Sequence, residues 1–258
     1  MKSFSLILLL VCLLSVPSFA QPNPETLWTR TYGGSGDDEA YSVQQTADGG
    51  YIVAGYTYSF GAGGDDFYLV RTNSQGDTLW TRTYGGDSLD CAYSVHQTAD
   101  GGYIVAGYTY SFGAGLDDFY LVKTNSLGDT LWTRAYGGSN YDDARSVQQT
   151  TDGGYIVAGY TWSFDADLVK TNSQGDTLWT RTYGGSNGDD AYSVQQTADG
   201  GYIVAGDTWS FGAGRNDFYL VKTNPMGDTL WTRTYGGRGN DSARSVQQTT
   251  DGGYIVAG

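Results

Sequence analysis

From Ala40 onward the chain alternates between two textures. Runs of six to eight residues rich in Tyr, Val, Ile, Thr and Trp are separated by short stretches of Gly, Asp, Asn and Ser. Between Ala40 and Tyr84 the runs are "AYSVQQT", "GYIVAGYT", "FYLVRT" and "TLWTRTY", and the separators are "ADGG", "YSFGAGGDD" and "NSQGD". Such runs have the length and composition of β-strands. Short Gly-containing turns join antiparallel neighbours, so the pattern predicts a four-stranded antiparallel meander. Side chains alternate across a strand. Tyr51 and Val53 therefore point to one face and Ile52 and Ala54 to the other, and both faces are apolar. A sheet that is apolar on both sides needs cover on both sides.

The unit recurs. "DGGYIVAG" begins at Asp48, Asp100, Asp152, Asp199 and Asp251. "LWTR" carries Trp28, Trp80, Trp132, Trp179 and Trp231, spaced by 52, 52, 47 and 52 residues. Stacking successive units radially around an axis covers both faces of each sheet, so the sequence predicts an all-β fold: a β-propeller with blades of about 52 residues. A linear stack would leave two apolar end faces, which ring closure removes. Counting a lone fourth strand at Thr26–Tyr32 and two strands at the end gives nineteen strands, with the last blade incomplete. An unpaired sheet edge is an aggregation hazard, so the expectation is a piece of a longer propeller. Trp80, Trp132, Trp179 and Trp231 each follow a turn glycine by four residues, as Trp80 follows Gly76. Burying an indole removes roughly 150–250 Å² from water, about 4–6 kcal/mol as an upper bound. The five Trp residues are thus expected to dock blade on blade.

Composition adds a compartment. "MKSFSLILLLVCLLSVPSFA" has a basic start, an apolar stretch from Leu6 to Leu14, a helix-breaking Pro17 and small residues at Ser18 and Ala20. This is the pattern of a secretory signal peptide over 1–20, leaving 21–258 as a single repeat domain. The apolar run is shorter than the ~20 residues that a membrane span needs. Cys12 lacks the preceding small residue of a lipoprotein anchor. A secreted or cell-surface protein is expected. Beyond the signal one cysteine remains, Cys91, so no intramolecular disulfide holds the domain. Net charge is −14, which repels phosphate backbones and argues against nucleic acid as a partner.

"TNSQGDTLW" resembles the tryptophan-docking motif of quinoprotein-type propellers. The whole unit, with "YGG", "DGGYIVAG" and "YLVKT", resembles the β-propeller repeats of secreted bacterial proteins, over nearly all of 21–258. Kelch repeats are the alternative, although they want Gly-Gly directly after the strand that here reads "YIVAGY". Quinoprotein enzymes hold their cofactor on the axis near adjacent cysteines and a calcium. This chain has no adjacent cysteines, so the resemblance implies the scaffold and not the redox chemistry.

In a four-stranded blade the loops between strands two and three share a side with the links between blades. Both are rich in Asp and aromatics. The links carry Asp38, Asp90, Asp142, Asp189 and Asp241, and the loops carry Asp66, Asp118 and Asp217. Tyr58, Phe60, Tyr110, Phe112, Trp162, Phe164, Trp209 and Phe211 accompany them. Oxygen ligands suit calcium and aromatic rings suit sugars, so this face is the candidate for a glycan, protein or calcium ligand. Against calcium stand the absence of a "DxDxDG" ladder and the ability of Asp to tie down its own turn. No cofactor and no catalytic residue is assigned. Symmetry-breakers are few: His96 in place of Gln, Cys91, Arg145 and Arg244 in place of Tyr, and a five-residue loss in repeat three, "SFDADLVK". The expected function is a non-enzymatic binding or adhesive scaffold. The alternatives are a hydrolase using loop carboxylates or a calcium-dependent binder.

Overall fold

The computed structural model describes residues 26–162 and 165–258. Residues Met1–Ala20, where a signal peptide is expected, and Phe164 lie outside the described residues. The described residues form eighteen strands and no helix. The first blade comprises β1 (Asp38–Gln45), β2 (Tyr51–Thr57), β3 (Asp66–Thr72) and β4 (Thr78–Tyr84). The second comprises β5 (Asp90–Gln97), β6 (Tyr103–Thr109), β7 (Asp118–Thr124) and β8 (Thr130–Tyr136). The third comprises β9 (Asp142–Gln149), β10 (Tyr155–Thr161), β11 (Ala166–Thr171) and β12 (Thr177–Tyr183). The fourth comprises β13 (Asp189–Gln196), β14 (Tyr202–Thr208), β15 (Asp217–Thr223) and β16 (Thr229–Tyr235). A two-stranded sheet follows, β17 (Ser245–Gln248) with β18 (Tyr254–Ala257). Every complete blade is an antiparallel meander in chain order.

The octapeptide earns its recurrence at the first hairpin turn. Asp48 accepts hydrogen bonds from the Thr46 hydroxyl at 2.6 Å and the Gly50 N–H at 3.2 Å. Gly49 takes φ 84°, a left-handed conformation that favours glycine. A Cβ on Gly50 would run into the Thr72 carbonyl. A Cβ on Gly55 would meet the Glu39 carbonyl, beside the point where β1 bulges between Ala40 and Ser42. Asp48 also pairs with Arg71 on β3 at 2.5 Å, and the other blades pair Lys123 with Asp100, Lys170 with Asp152 and Lys222 with Asp199 at 2.9 Å. These cations are buried while their carboxylates stand in solvent. A buried cation without a partner is strongly disfavoured, and the Asp that opens each of the first four octapeptides supplies one.

The cores lie between blades, as two-faced strands require. Ile52, Ala54, Phe67 and Leu69 of the first blade pack against Ala92, Val95, Tyr103 and Val105 of the second. The same contact recurs between the second and third blades, the third and fourth, and the fourth and final sheet. Each Trp leans on the next blade. Trp80 meets Tyr103 edge-on at 5.8 Å and covers Gly128, and Trp28, Trp132, Trp179 and Trp231 meet Tyr51, Tyr155, Tyr202 and Tyr254 at 5.7–5.9 Å.

One expectation is corrected. Thr26–Tyr32 is not a strand, so the described residues hold eighteen strands rather than nineteen. Among the described residues no third strand lies beside it, and a β-ladder needs one. It still sits where a fourth strand would, with Trp28 against Tyr51 and the Tyr32 hydroxyl donating to the Gly76 carbonyl at 2.7 Å. The ring is also open: Val43 on β1 and Ile255 on β18 are both exposed, so the first and last sheets do not cover each other.

Candidate functional site

The long loops and the interblade links share one face, as the meander demands. Asp90 N–H donates to the Asp65 carbonyl at 2.6 Å, Tyr58 N–H to Asp37 at 2.8 Å and Tyr110 N–H to Leu89 at 2.9 Å. The Asp residues expected on this face are turned inward. The carboxylates of Asp38, Asp90, Asp142, Asp189 and Asp241 accept from the N–H groups of Gly34, Gly86, Gly138, Gly185 and Gly237 at 2.7–2.9 Å. Asp38, Asp90 and Asp189 also accept from Ser59, Ser111 and Ser210 at 2.7–2.8 Å. Asp66, Asp118 and Asp217 accept from Ala62, Ala114 and Ala213 at 2.7–2.9 Å. These eight carboxylates therefore hold loops in place, once per blade. Burial pushes Asp66 up to about 6. Among the described residues no group of three His, Cys, Asp or Glu side chains converges as a metal site.

What the face presents is aromatic. Tyr56 and Tyr41 lie 6.1 Å apart between ring centres, and Tyr41 and Tyr93 lie 4.9 Å apart. The series continues through Tyr108 at 5.8 Å, Tyr110 at 5.7 Å, Tyr141 at 6.5 Å and Trp162 at 5.2 Å. Seven rings thus run without a break from the inner strands of the first blade to the loops of the third. Tyr41, Tyr110 and Trp162 are exposed along it, and Tyr58 and Trp209 stand exposed elsewhere on the face. On the axial side Arg145 continues the strip, its guanidinium 3.9 Å from the Tyr93 ring centre and its Nη2 donating to Asp143 at 2.9 Å. Arg244 stacks on Tyr192 in the same way at 3.9 Å. The Arg-for-Tyr exchanges keep a stack of planar groups around the axis, because guanidinium and phenol rings both lie flat on a neighbouring ring.

The rim is acidic. Burial, assisted by the charges of Asp37 and Glu39, raises the Asp65 carboxyl. Burial and the Asp143 charge push Asp117 up to about 6. On the fourth blade a cleft of about 450 Å³ is lined by Asp190, Asp207, Trp209, Asn187 and Asn216. Asp190 and Asp207 are cross-strand partners on β13 and β14. Burial raises both, and each also carries a hydroxyl bond, from Tyr192 and Ser242 respectively. Sequence reasoning missed Asp207. Its signal was present, since "YIVAGDT" stands where three other repeats read "YIVAGYT".

The shortened repeat three differs at its third strand. Asp167 occupies the place held by Tyr68, Tyr120 and Tyr219 in the other blades, and it lines a cavity of about 340 Å³ with Asp142, Thr161 and Arg181. Burial, then the charges of Asp142 and Asp165, pushes its carboxyl up to about 7. His96 sits far from these groups, beside the first-hairpin turns on the opposite face, and burial lowers its pKa. Cys91 is buried, which pushes its thiol up to about 12 and removes the thiolate that reactivity needs.

With this geometry in view the likenesses to other proteins fall into place. The family model "Domain of unknown function (DUF5122) beta-propeller" matches residues 46–78 and 197–229. Both stretches cover the same part of the repeat, the second and third strands with their turns. The repeat is a propeller repeat. The fold is similar to a protein of unknown function from Bacteroides caccae (14% identity over 80% of this chain and 64% of that one, TM-score 0.50). It is similar also to the Pan2 WD40 domain of Neurospora crassa (11%, 84% and 60%, TM-score 0.51) and to a protein from Lactobacillus plantarum (13%, 80% and 59%, TM-score 0.51). The chain spans less than two thirds of the length of each of these structures. No curated protein matches its sequence.

Proposed function

We propose that the protein is an exported, non-enzymatic binding scaffold whose loop face takes up a glycan chain without a cofactor. One observation carries the reading: the unbroken aromatic strip from Tyr56 to Trp162. Sugar rings have flat C–H faces that lie on aromatic rings, and a linear series of rings suits a linear polymer. The acidic rim favours a neutral or basic glycan over a polyanionic one. Export rests on the signal-like residues 1–20. The resemblance to quinoprotein-type repeats supports the scaffold, with a function of presentation rather than turnover.

Sedimentation with a panel of insoluble neutral and amino polysaccharides tests this, read as bound fraction. We expect binding that EDTA leaves unchanged and that the double variant Tyr110→Ala/Trp162→Ala lowers at least about tenfold, equivalent to ~1.4 kcal/mol. Binding that is absent across the panel, or indifferent to the double variant, defeats the reading. The Asp190–Asp207 pair favours a second reading, polysaccharide hydrolysis in the fourth-blade cleft. It requires new reducing ends in the same assay, and their loss in Asp207→Tyr, which restores the residue of the other repeats.

A further inference from the structure

We propose that the cleft on the fourth blade is an amino-sugar site, in which the carboxylates of Asp190 and Asp207 receive the free ammonium of one sugar. This rests on the reading that the loop face takes up a glycan, and it names the sugar class. The cleft departs from the other blades at one position. Tyr56, Tyr108 and Tyr160 stand where the fourth blade has Asp207, each opposite the second residue of its inner strand: Glu39, Cys91 and Asp143. In the third blade the Tyr160 hydroxyl donates to Asp143, and Arg145 donates to the same carboxylate at 2.9 Å. That carboxylate meets a donor and a cation. In the fourth blade Asp190 meets Asp207 instead, so a second acceptor replaces the phenol. The cleft of about 450 Å³ at this position is lined only by residues between 186 and 216, in the fourth blade and the link that enters it.

The two carboxylates lack a cation. Cross-strand partners share a face, with Cβ atoms roughly 4.5–5.5 Å apart. Asp207 lines the cleft and is 3% exposed. Its hydrogen bond from the Ser242 hydroxyl ends on Oδ2, and among the described residues Oδ1 has no partner. The Asp190 carboxylate accepts from the Tyr192 hydroxyl at 2.9 Å. Among the described residues neither Asp forms an ion pair: the Arg145 guanidinium goes to Asp143, and that of Arg244 lies on Tyr192. Neighbouring buried carboxylates disfavour each other's charge unless a cation joins them. An ammonium brings both the charge and three N–H donors.

The other walls suit the rest of a sugar. Trp209 lines the cleft and is 57% exposed, which leaves its indole open to the C–H face of a sugar ring. Its N–H donates to the Gly188 carbonyl at 2.7 Å, and Asn187 Nδ2 donates to the Trp209 carbonyl at 3.3 Å. Loop and link are thus tied together before a ligand arrives, which lowers the cost of binding. Asn216 stands where the first two blades carry Asp65 and Asp117. A sugar hydroxyl therefore meets an amide that can donate and accept, not a third carboxylate. The volume is that of a small-molecule site.

Ligand-observed NMR titration of the purified chain with glucosamine, N-acetylglucosamine and glucose, near neutral pH, tests the proposal. The three share a ring and differ in the ammonium. None has a glycosidic bond to break, so hydrolysis does not enter the reading. Glucosamine should bind at least about tenfold more tightly than the other two. Asp207→Asn keeps the shape of the side chain and removes its charge, and should abolish that preference. Asp207→Tyr, the residue of the first three blades, should fill the cleft and abolish binding; thermal melts of both variants certify that they fold. A glucosamine preference without polysaccharide binding would support this site and defeat the aromatic strip. Polysaccharide binding without a glucosamine preference would overturn this site and leave the strip standing. Glucosamine that does not bind, or a preference that survives Asp207→Asn, would likewise overturn it.

Discussion

Trp80 and Tyr103 divide one task between them. The sequence points to the Trp as the buried plug between blades. In the structure the indole is half-buried and lies across Gly128, whereas Tyr103 beneath it is fully buried and accepts a 2.8 Å bond from Arg71. The Tyr therefore carries more of the contact than the more visible Trp. Truncating a buried aromatic costs roughly 3–5 kcal/mol, and less when part of the ring was already wet. We expect Tyr103→Ala to lower unfolding stability by about 4 kcal/mol and Trp80→Ala by about 2 kcal/mol, measured by urea denaturation. The reverse order would return the docking role to the indole.

At the scale of the element, the first hairpin of each blade is specified by two adjacent glycines with different reasons to be there. Gly101 has φ 80° and open space around its missing Cβ. Gly102 has the Thr124 carbonyl and the Lys123 ammonium against its own. Alanine at Gly101 meets only the left-handed backbone penalty, about 1 kcal/mol. Alanine at Gly102 must push β6 away from β7 and disturb the Lys123–Asp100 pair. We expect Gly102→Ala to lower the melting temperature several times more than Gly101→Ala, and equal shifts would show that the turn conformation alone matters.

The whole molecule carries two opposed sets of carboxyls. Asp167, Asp117 and Asp66 are held up at about 7, 6 and 6, chiefly by burial. Each binds its proton more tightly in the folded state, so its contribution is full below about pH 4 and is lost as pH rises through 6–7. Asp48 and Asp199 are held down at about 2, first by the hydroxyls of Thr46 and Thr197 and further by Arg71 and Lys222. Asp100 also lies at about 2, where its bonds to Thr98 and Lys123 outweigh burial. The contribution of this second set is present above about pH 4 and is lost as pH falls toward 2. Thermal stability should therefore rise from pH 7.5 to a maximum at about pH 4–5 and fall below it. Asp167→Asn should flatten the limb between pH 7 and 5, and a limb unchanged by that variant would remove Asp167 from the account.

The amino-acid order alone determined the strands, their turns, the two-faced sheets and the stacking of one unit on the next. Each of these is local chemistry repeated: alternation over a few residues, a glycine where φ is positive, an indole four positions after a turn. Only the tertiary structure decided what depends on residues far apart in the chain. It turned the eight anchoring Asp carboxylates inward to their own loops, because an Asp beside a turn satisfies the nearest N–H first. It brought Tyr41, Tyr93, Tyr110 and Trp162 into one strip across three blades, and it set Asp190 opposite Asp207. It left Val43 and Ile255 uncovered at opposite ends, since a face is buried only when another surface reaches it, and no local pattern reports whether one does.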